Sequence, residues 1–421
     1  MSSTARYTSS RPGLAIVLAA AAVFFPDTVP SGADTIDTAQ VERGRYVARL
    51  GDCVACHTAD DGAPYAGGRA IKTPFGIVYS ANITTDAETG IGAWTNDDFW
   101  NLMHSGIRKD GAYIYPAMPY PWFTKMTRQD VDDLKTYLDT LPPVRNSPPE
   151  NQLLPPLQFR QTVAAWNFLF FEEGVFKPDP SKSAEWNRGA YIVEGPGHCG
   201  ACHTPADLLG GPERDRRYEG RSIQNWWAPD LTSGGADGVA TWSEEEILSY
   251  LKDGRNQHTV ASGPMADVIE NSTQYITDAD LNAIATYLKD LPIEERARDA
   301  SRLGEASKKT MTDGEHLFRD NCAACHGIDG AGVPRLIADL RKSGVVNAPD
   351  PVGVLRAILA GANGNVTHGA PTRPGMPPFD WKFDDREIAA VATYLRQSFG
   401  NRATSVSAGD VADLRKTLAQ Q

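Results

Sequence analysis

Cysteine is scarce in this sequence of 421 residues. The chain has no excess of positive charge, and long apolar runs are absent after the N-terminal segment. With 41 lysines and arginines against 53 aspartates and glutamates, the net charge of −12 argues against nucleic acid as a partner. After residue 25 no run of 18 apolar residues follows, so the rest of the chain is not expected to span a membrane. The dinucleotide-binding glycine fingerprint, H-E-x-x-H and the nucleophile elbow are also missing, which argues against bond-making chemistry in this chain.

The N-terminus has the pattern of an export signal. Arg6 and Arg11 precede an uncharged apolar run at residues 14–25, and Ser31 and Ala33 occupy the small positions of a signal-peptidase site. We therefore predict a cleaved signal peptide at residues 1–33. The alternative is a membrane anchor, but a run of twelve residues is short for a span of about 20.

All six cysteines occur in three copies of one motif, in the segments "GDCVACHTADDG", "GHCGACHTPADL" and "DNCAACHGIDGA". Each copy reads C-x-x-C-H, the attachment signature of c-type haem. Two thiols three positions apart on one helical turn can each form a thioether to a haem vinyl group, and the next histidine can bind the iron. The motif residues are Cys53, Cys56 and His57; Cys199, Cys202 and His203; and Cys322, Cys325 and His326.

Other uses of cysteine fit this pattern less well. An oxidising compartment usually gives disulfides, but that does not explain the spacing or the adjacent histidine. Zinc sites combine two C-x-x-C pairs and would leave one pair over. A thioredoxin-type redox pair needs a βαβ context and would hardly occur three times. The sequence therefore predicts three covalent haems.

The motifs belong to a repeat, with starting cysteines 146 and 123 residues apart (199 − 53 and 322 − 199). Before each pair we predict a short helix opened by a glycine. After each we predict a terminal helix with Tyr-Leu at matching places, and Thr127 and Thr277 as N-caps of the first two. The opening glycines are Gly44, Gly189 and Gly314, and the apolar face of the terminal helices includes Leu134, Leu281 and Ile388. One small, mainly α-helical fold is thus expected to occur three times.

The second axial ligand of each iron is predicted from methionines at equivalent places. Met118, Met265 and Met376 each follow a loop containing proline or glycine and precede the terminal helix. A single methionine is usually core filler, but three at matching positions of a repeat favour ligation. The remaining candidates for a bis-histidine site share no common position, so we interpret them as surface or packing residues: His104, His198, His258, His316 and His368.

The predicted domain order follows from these units. It is a signal peptide (1–33), a first haem domain (34–141), a proline-rich linker (142–182), a second haem domain (183–299), a third (300–400) and a C-terminal tail (401–421). The linker's Pro-Pro pairs favour extended, semi-rigid polyproline spacing, and a charged hinge at 294–309 precedes the third domain. Trp166, Phe168, Phe170 and Phe171 either pack between haem domains or contact a membrane or partner. The tail places Val411, Leu414 and Leu418 on one face of a short helix, a weak docking element.

With these motifs and segments such as "GGRAIKTPFGIVYSANIT", "MADVIENSTQYIT" and "MPPFDW", the sequence resembles the three-haem cytochrome c subunits of bacterial membrane-bound alcohol, aldehyde and gluconate dehydrogenases. The resemblance implies a mainly α structure of three tandem class I-like cytochrome c domains with a proline-rich connector. It also implies three haems c attached to the six cysteines, with His57, His203, His326, Met118, Met265 and Met376 as axial ligands.

The resemblance further implies a periplasmic subunit at the outer face of the inner membrane, peripherally associated with it. Such a subunit accepts electrons from a catalytic dehydrogenase with a flavin or quinone cofactor, in a complex that can include a small third subunit, and delivers them to ubiquinone. The alcohol type usually has a longer C-terminal extension than this chain, which favours the gluconate type. Two alternatives are a cytochrome c that feeds a terminal oxidase and a haem enzyme such as a peroxidase, which needs an open sixth position.

Overall fold

The structure, a computed structural model, describes residues 37–232, 239–292, 306–341 and 343–420. The predicted signal peptide and residues 294–305 of the predicted hinge lie outside these ranges. Within them the protein is mainly helical, and similar helices recur in three units around the three C-x-x-C-H motifs.

The helices follow one another in the same general order in each unit, whereas the pair of strands comes before the middle helix in the first two units and after it in the third. The first unit contains α1 (Thr38–Leu50), α2 (Cys53–Cys56), β1 (Ala70–Thr73), β2 (Gly76–Tyr79), α3 (Asn96–Ser105), α4 (Tyr120–Phe123) and α5 (Arg128–Leu138), and the connector adds β3 (Gln152–Leu153) and α6 (Thr162–Phe170). The second contains α7 (Ala184–Glu194), α8 (Gly200–His203), β4 (Arg221–Ile223), β5 (Trp226–Ala228), α9 (Glu244–Asp253), α10 (Pro264–Asn271) and α11 (Asp278–Lys289), with short 3-10 turns at Arg214–Arg216, Val239–Thr241 and Thr273–Tyr275. The third contains α12 (Lys308–Asn321), α13 (Ala323–His326), α14 (Val352–Ala360), β6 (Ala362–Asn363), β7 (Gly375–Met376), α15 (Asp385–Gln397) and α16 (Ala408–Leu418).

In every unit the first long helix crosses the terminal helix: α1 packs on α5, α7 on α11 and α12 on α15. A glycine lies at each crossing. A Cβ at Gly44 would stand 1.8 Å from the carbonyl oxygen of Asp133, so only glycine lets the two backbones come this close. The prediction that these glycines open the helices was wrong, because the helices begin earlier. They start at Thr38, Ala184 and Lys308, and Gly44, Gly189 and Gly314 lie inside them.

Other features of the terminal helices agree with the sequence. The hydroxyl oxygen of Thr127 accepts from the backbone N–H of Asp130, and Thr277 caps α11 in the same way. Both N-caps are therefore confirmed. The predicted apolar face is confirmed as well, because its members are at most 2% exposed: Leu134, Leu281 and Ile388.

The proline-rich connector is extended but does not act as a free spacer. Its strand β3 adds to the antiparallel pair β1–β2, with Gly76 opposite Leu153. The side-chain amide of Asn82 donates to the carbonyl of Val144 at 2.7 Å. These bonds hold the connector along the first unit.

The aromatic residues in the second half of the connector mostly pack inside the protein. Trp166 and Phe171 pack against the core of the first unit. Phe170 occupies the space where a Cβ of Gly211 would lie, 2.2 Å away. Phe168 is different, since 89% of it is exposed. Three of the four residues thus pack within the protein. Two of them, Trp166 and Phe170, lie between the first and second units, since Nε1 of Trp166 also donates to the carbonyl of Leu209 at 3.1 Å.

The C-terminal helix packs onto the third unit. Val411 is fully buried and Leu414 is 7% exposed, and Leu418 packs against the same core. The apolar face of α16 is therefore already covered by α14 and α15.

Candidate haem-binding sites

Each C-x-x-C-H motif forms one helical turn directly after the first long helix of its unit. The backbone N–H of His57 donates to the carbonyl of Cys53 at 3.0 Å. The same bond joins His203 to Cys199 at 3.0 Å and His326 to Cys322 at 2.9 Å. The three motifs therefore have one local geometry, which places both thiols and the imidazole on a single turn.

The surroundings of the cysteines differ from those typical of redox or zinc-binding thiols. All six are free, although two stand three positions apart in every motif. Burial raises the pKa of the Cys53 and Cys199 thiols to about 12, whereas reactive and metal-binding cysteines have a lowered pKa. Among the described residues, no group of three or more His, Cys, Asp and Glu side chains could hold a metal ion. Free paired thiols fit thioether attachment instead.

The three motif histidines are oriented by the same kind of hydrogen bond. Nδ1 of His57 contacts the carbonyl oxygen of Ala81 at 2.7 Å. Nδ1 of His203 contacts that of Pro229 at 2.7 Å, and Nδ1 of His326 contacts that of Ala338 at 3.1 Å. A carbonyl can only accept, so Nδ1 carries the proton and Nε2 keeps its lone pair.

Burial favours the neutral ring in each case. It lowers the pKa of His57, His203 and His326 below the ordinary value, and the hydrogen bond to the carbonyl opposes this only in part. A neutral imidazole with a free Nε2 and a hydrogen-bonded Nδ1–H is the form that binds iron. The motif residues thus fit a covalently bound haem with histidine as one axial ligand.

Each motif histidine has a glycine hydrogen-bonded to its backbone carbonyl, and these glycines were not predicted from the sequence. The carbonyl of His57 accepts from the N–H of Gly67 at 2.8 Å, and Gly220 and Gly332 bind His203 and His326 in the same way at 2.7 and 2.8 Å. All three glycines have a positive φ, between 62° and 80°. They lie 10, 17 and 6 residues after their histidines (67 − 57, 220 − 203 and 332 − 326), so no fixed spacing reveals them.

The predicted methionine ligands lie in three different local structures. Met118 is in a turn before α4, and both it and Cys53 pack against the core of the first unit. Met376 lies in β7 opposite Ala362, and it packs with Cys322 against the third core. Met265 is the second residue of α10, after Pro264, and is half-buried. In the first and third units the methionine and a motif cysteine thus pack against the same core, and ligation by all three methionines stays a prediction.

Four of the other histidines have ring contacts. The ring centroid of His198 lies 5.4 Å from that of Phe123, and that of His368 lies 5.6 Å from that of Tyr275. The ring of His104 stacks on Trp100 with centroids 4.5 Å apart, and that of His258 stacks on Trp242 at 5.8 Å. These contacts agree with their interpretation as packing residues.

The first and second haem sites adjoin each other. Trp122 and Phe123 of α4 closely follow Met118. Trp122 contacts the second motif, and Phe123 contacts His198, the residue directly before that motif. The ring of Phe123 lies 5.4 Å from that of His198. A Cβ at Gly200 would stand 2.6 Å from Nε1 of Trp122, which explains why glycine follows Cys199 where the other motifs have valine and alanine. Neighbouring sites of this kind suit electron transfer from haem to haem.

Three repeated helical units, each with free paired thiols and an oriented imidazole, define a protein of the covalent haem-binding class. The family model for cytochrome c matches residues 41–142, 187–292 and 311–399. The chain therefore belongs to the cytochrome c family, and it is an electron-transfer protein with three tandem cytochrome c domains and three covalent haems c.

Similar proteins of known role match nearly the whole chain. The cytochrome c subunit of alcohol dehydrogenase (quinone) from Gluconacetobacter polyoxogenes is 40% identical over 91% of this chain and 86% of that protein. The gluconate 2-dehydrogenase cytochrome c subunit from Pantoea cypripedii is 37% identical over 91% of each. The fructose dehydrogenase cytochrome subunit from Gluconobacter japonicus is 36% identical, over 89% of this chain and 82% of that protein.

Proposed function

We propose that this chain is the electron-transfer subunit of a membrane-associated dehydrogenase complex that oxidises CH–OH groups and passes the electrons to ubiquinone. The observation that carries the proposal is the threefold combination of free paired thiols with a histidine whose Nδ1–H is bound to a backbone carbonyl. The similar proteins support this kind of partner, since all three are subunits of dehydrogenases of alcohols, a sugar or a sugar acid.

Each motif residue has a separate task in this proposal. The six cysteines attach the haems through thioethers, which fixes each porphyrin to one helical turn. Nε2 of His57, His203 and His326 binds the irons, and the carbonyls of Ala81, Pro229 and Ala338 hold the rings in orientation. The bound haem supplies reversible one-electron chemistry.

The methionines decide between electron transfer and ligand chemistry. Met118, Met265 and Met376 close the sixth positions in our proposal, which raises the reduction potentials and keeps oxygen and substrates away from the irons. A peroxidase would need one of these positions open. The half-buried placement of all three, in segments before the terminal helices, supports closed sites.

The proposed location is the periplasm, at the outer face of the inner membrane. The export-type N-terminus and the c-type motifs support it. Among the described residues, no helix is long and apolar enough to cross a membrane. We propose that the chain is held at the membrane peripherally, with its dehydrogenase partner and a small third subunit.

The test is to express the full chain in a host that assembles c-type cytochromes, together with the dehydrogenase encoded beside it. The purified complex should contain three haems per chain of this subunit. Gluconate or an alcohol should reduce them, and a short-chain ubiquinone should reoxidise them. A variant with Cys199→Ala and Cys202→Ala serves as the control and should contain two haems.

Two outcomes would contradict the proposal. One is a purified chain without covalent haem. The other is carbon monoxide binding to the reduced wild-type protein, because three closed sites should not bind it readily and a haem enzyme should.

A further inference from the structure

The strand that carries Met376 belongs to a hairpin reaching out to the second domain. Its strands β6 and β7 pair with Ala362 opposite Met376, and the loop 364–374 joins them. Gly364 at the start of this loop forms an antiparallel bridge with Ser262, three residues before Met265. The segments that precede two of the proposed methionine ligands are thus in direct backbone contact.

A buried cation of the second domain holds the loop 364–374 from one side. Arg255 follows α9 and is 6% exposed. Its Nη2 donates to the carbonyls of Asn365 at 3.2 Å and Ala370 at 3.4 Å, and it also binds the carbonyl of Thr372. The fully buried Asn365 returns a bond from its side-chain amide to the carbonyl of Asp253 at 2.8 Å.

A carboxylate of the second domain holds the same loop from another side. Oε1 of Glu270 accepts from the backbone N–H of Val366 at 2.7 Å and from Nη2 of Arg373 at 2.8 Å. Glu270 lies in α10, five residues after Met265, and Arg373 lies three residues before Met376. One ion pair therefore ties the helix bearing the second methionine to the hairpin bearing the third.

The arrangement makes the position of the loop depend on the second domain. Burying a guanidinium is costly unless its N–H groups have acceptors. All the acceptors of Arg255 Nη2 are backbone carbonyls of this one loop, and Nε finds no partner among the described residues. Withdrawal of the loop would break all the hydrogen bonds of Nη2, so domain contact and loop position reinforce each other.

We propose that Arg255 and Glu270 are positioning residues for the third haem, which hold the loop 364–374 from the neighbouring domain so that Met376 stays on the iron. This inference rests on the proposed ligation by Met376. The second domain then completes the third haem site. Loss of methionine ligation at this site would therefore indicate that the contact between the two domains has been lost.

The experiment compares full-length, haem-loaded variants by visible spectroscopy and redox titration. Arg255→Met and Glu270→Ala should keep three haems but lose one haem's share of the methionine–iron charge-transfer band. One midpoint potential should fall, and carbon monoxide should bind one reduced haem. Arg255→Lys, which keeps the charge and N–H donors, should restore part of the band.

Arg335→Gln is the matched control at the same domain boundary. Arg335 pairs with Asp253 at 2.8 Å, binds the hydroxyl of Ser249 at 2.6 Å and donates to the backbone carbonyl of Arg255 at 3.5 Å, but none of these partners is in the loop 364–374. The charge-transfer band and the midpoint potentials of Arg335→Gln should equal those of the wild type. If Arg335→Gln lost the same share of the band as Arg255→Met, any disturbance of the domain boundary would cause the loss. The proposal would then be overturned.

Met376→Leu separates this inference from the ligand assignment. It should remove one haem's share of the band; if the band stays whole, Met376 is not a ligand and the positioning proposal falls with it. If Met376→Leu removes that share while Arg255→Met and Glu270→Ala leave it intact, only the positioning proposal is wrong. Should Arg255→Met fail to fold, Glu270→Ala decides, because Arg373 is half exposed and tolerates the loss of its partner.

Discussion

The hydroxyl of Tyr46 donates a 2.7 Å hydrogen bond to the carboxylate of Asp280, across the boundary between the first and second domains. The reciprocal bond is also present, since Tyr191 of the second domain donates to Asp130 of the first. Each tyrosine lies two residues after its crossing glycine, and each aspartate lies three residues after the N-cap of its terminal helix. The two domains therefore meet as the halves of an isologous dimer do. The third domain has the exposed His316 at the equivalent place, and no such pair is found there among the residues that the structure describes.

Removal of one hydroxyl should weaken this boundary. The oxygen of Tyr46 also accepts from the N–H of Thr277 at 3.2 Å, so Tyr46→Phe leaves a backbone donor and a carboxylate with fewer partners. We expect a loss of about 1–2 kcal/mol in the free energy of unfolding. Guanidinium denaturation of Tyr46→Phe, Asp280→Asn and the double variant measures the coupling. Strict additivity of the two single effects would show that the bond contributes nothing.

The same aspartate gives the boundary a dependence on pH. Burial raises the pKa of Asp280, but hydrogen bonds from Arg188 and Tyr46 and the charge of Arg188 outweigh it, so the pKa is lowered overall. A lowered pKa in the folded state stabilises the protein above the unfolded-state value of about 3.9, and this stabilisation is lost as the pH falls further, through the folded pKa.

Acid denaturation of the wild type and Asp280→Asn checks this dependence. The free-energy difference between them should be constant from pH 7 to about 5 and should shrink as the pH falls below about 4. A difference that stays constant down to pH 2 would contradict the role given to this carboxylate.

The crossing glycines should not tolerate even one methyl group. At Gly189 a Cβ would lie 1.9 Å from the carbonyl oxygen of Ala283, and neither helix backbone can move away without disturbing the core. Gly189→Ala is expected to lower the free energy of unfolding by about 1–3 kcal/mol or more.

Gly409→Ala in α16 is the control, because the nearest atom to its Cβ is the Ser407 hydroxyl at 3.5 Å. It should leave stability unchanged or raise it by about 0.5–1 kcal/mol. Equal denaturation midpoints for the two variants would refute the steric explanation.

The sequence predicted the features that depend on local spacing. The C-x-x-C-H turns, the caps at Thr127 and Thr277 and the buried face of the terminal helices follow from short-range patterns, and the structure has them. The recurrence of the three crossing glycines was also recognised, but their predicted role as helix starts was wrong. A glycine near a helix start and a glycine at a helix crossing look alike in one sequence, since the partner helix is about 90 residues away at Asp133.

Features that depend on distant contacts could not be predicted. Arg255 resembles any surface arginine until the loop 364–374 folds over it, more than 100 residues later in the chain. The strand β3 was hidden because Pro-Pro pairs on either side favour a spacer, although two residues between them pair with β2. In these cases the stabilising partner comes from another part of the chain and leaves no periodic signal.

The glycine bound to the carbonyl of the first motif histidine should affect the potential of the first haem. A Cβ at Gly67 would stand 2.4 Å from the backbone carbon of Ala81, whose carbonyl oxygen binds Nδ1 of His57. Gly67→Ala must therefore displace this acceptor and weaken the Nδ1–H bond. Such bonds make the imidazole a more basic ligand, which favours the oxidised iron, so the potential of the first haem should rise.

Gly68→Ala is the matched control for this change. Gly68 also has a positive φ, of 89°, but the nearest atom to its Cβ is 3.7 Å away. Both variants carry the backbone strain of a left-handed alanine, about 1–2 kcal/mol, and only Gly67→Ala moves the carbonyl of Ala81. Spectroelectrochemical titration should show one midpoint raised in Gly67→Ala and none in Gly68→Ala. The variant Cys53→Ala with Cys56→Ala lacks the first haem and identifies which midpoint belongs to it. A shift of equal size in both glycine variants would mean that strain, and not the hydrogen bond to His57, sets this potential.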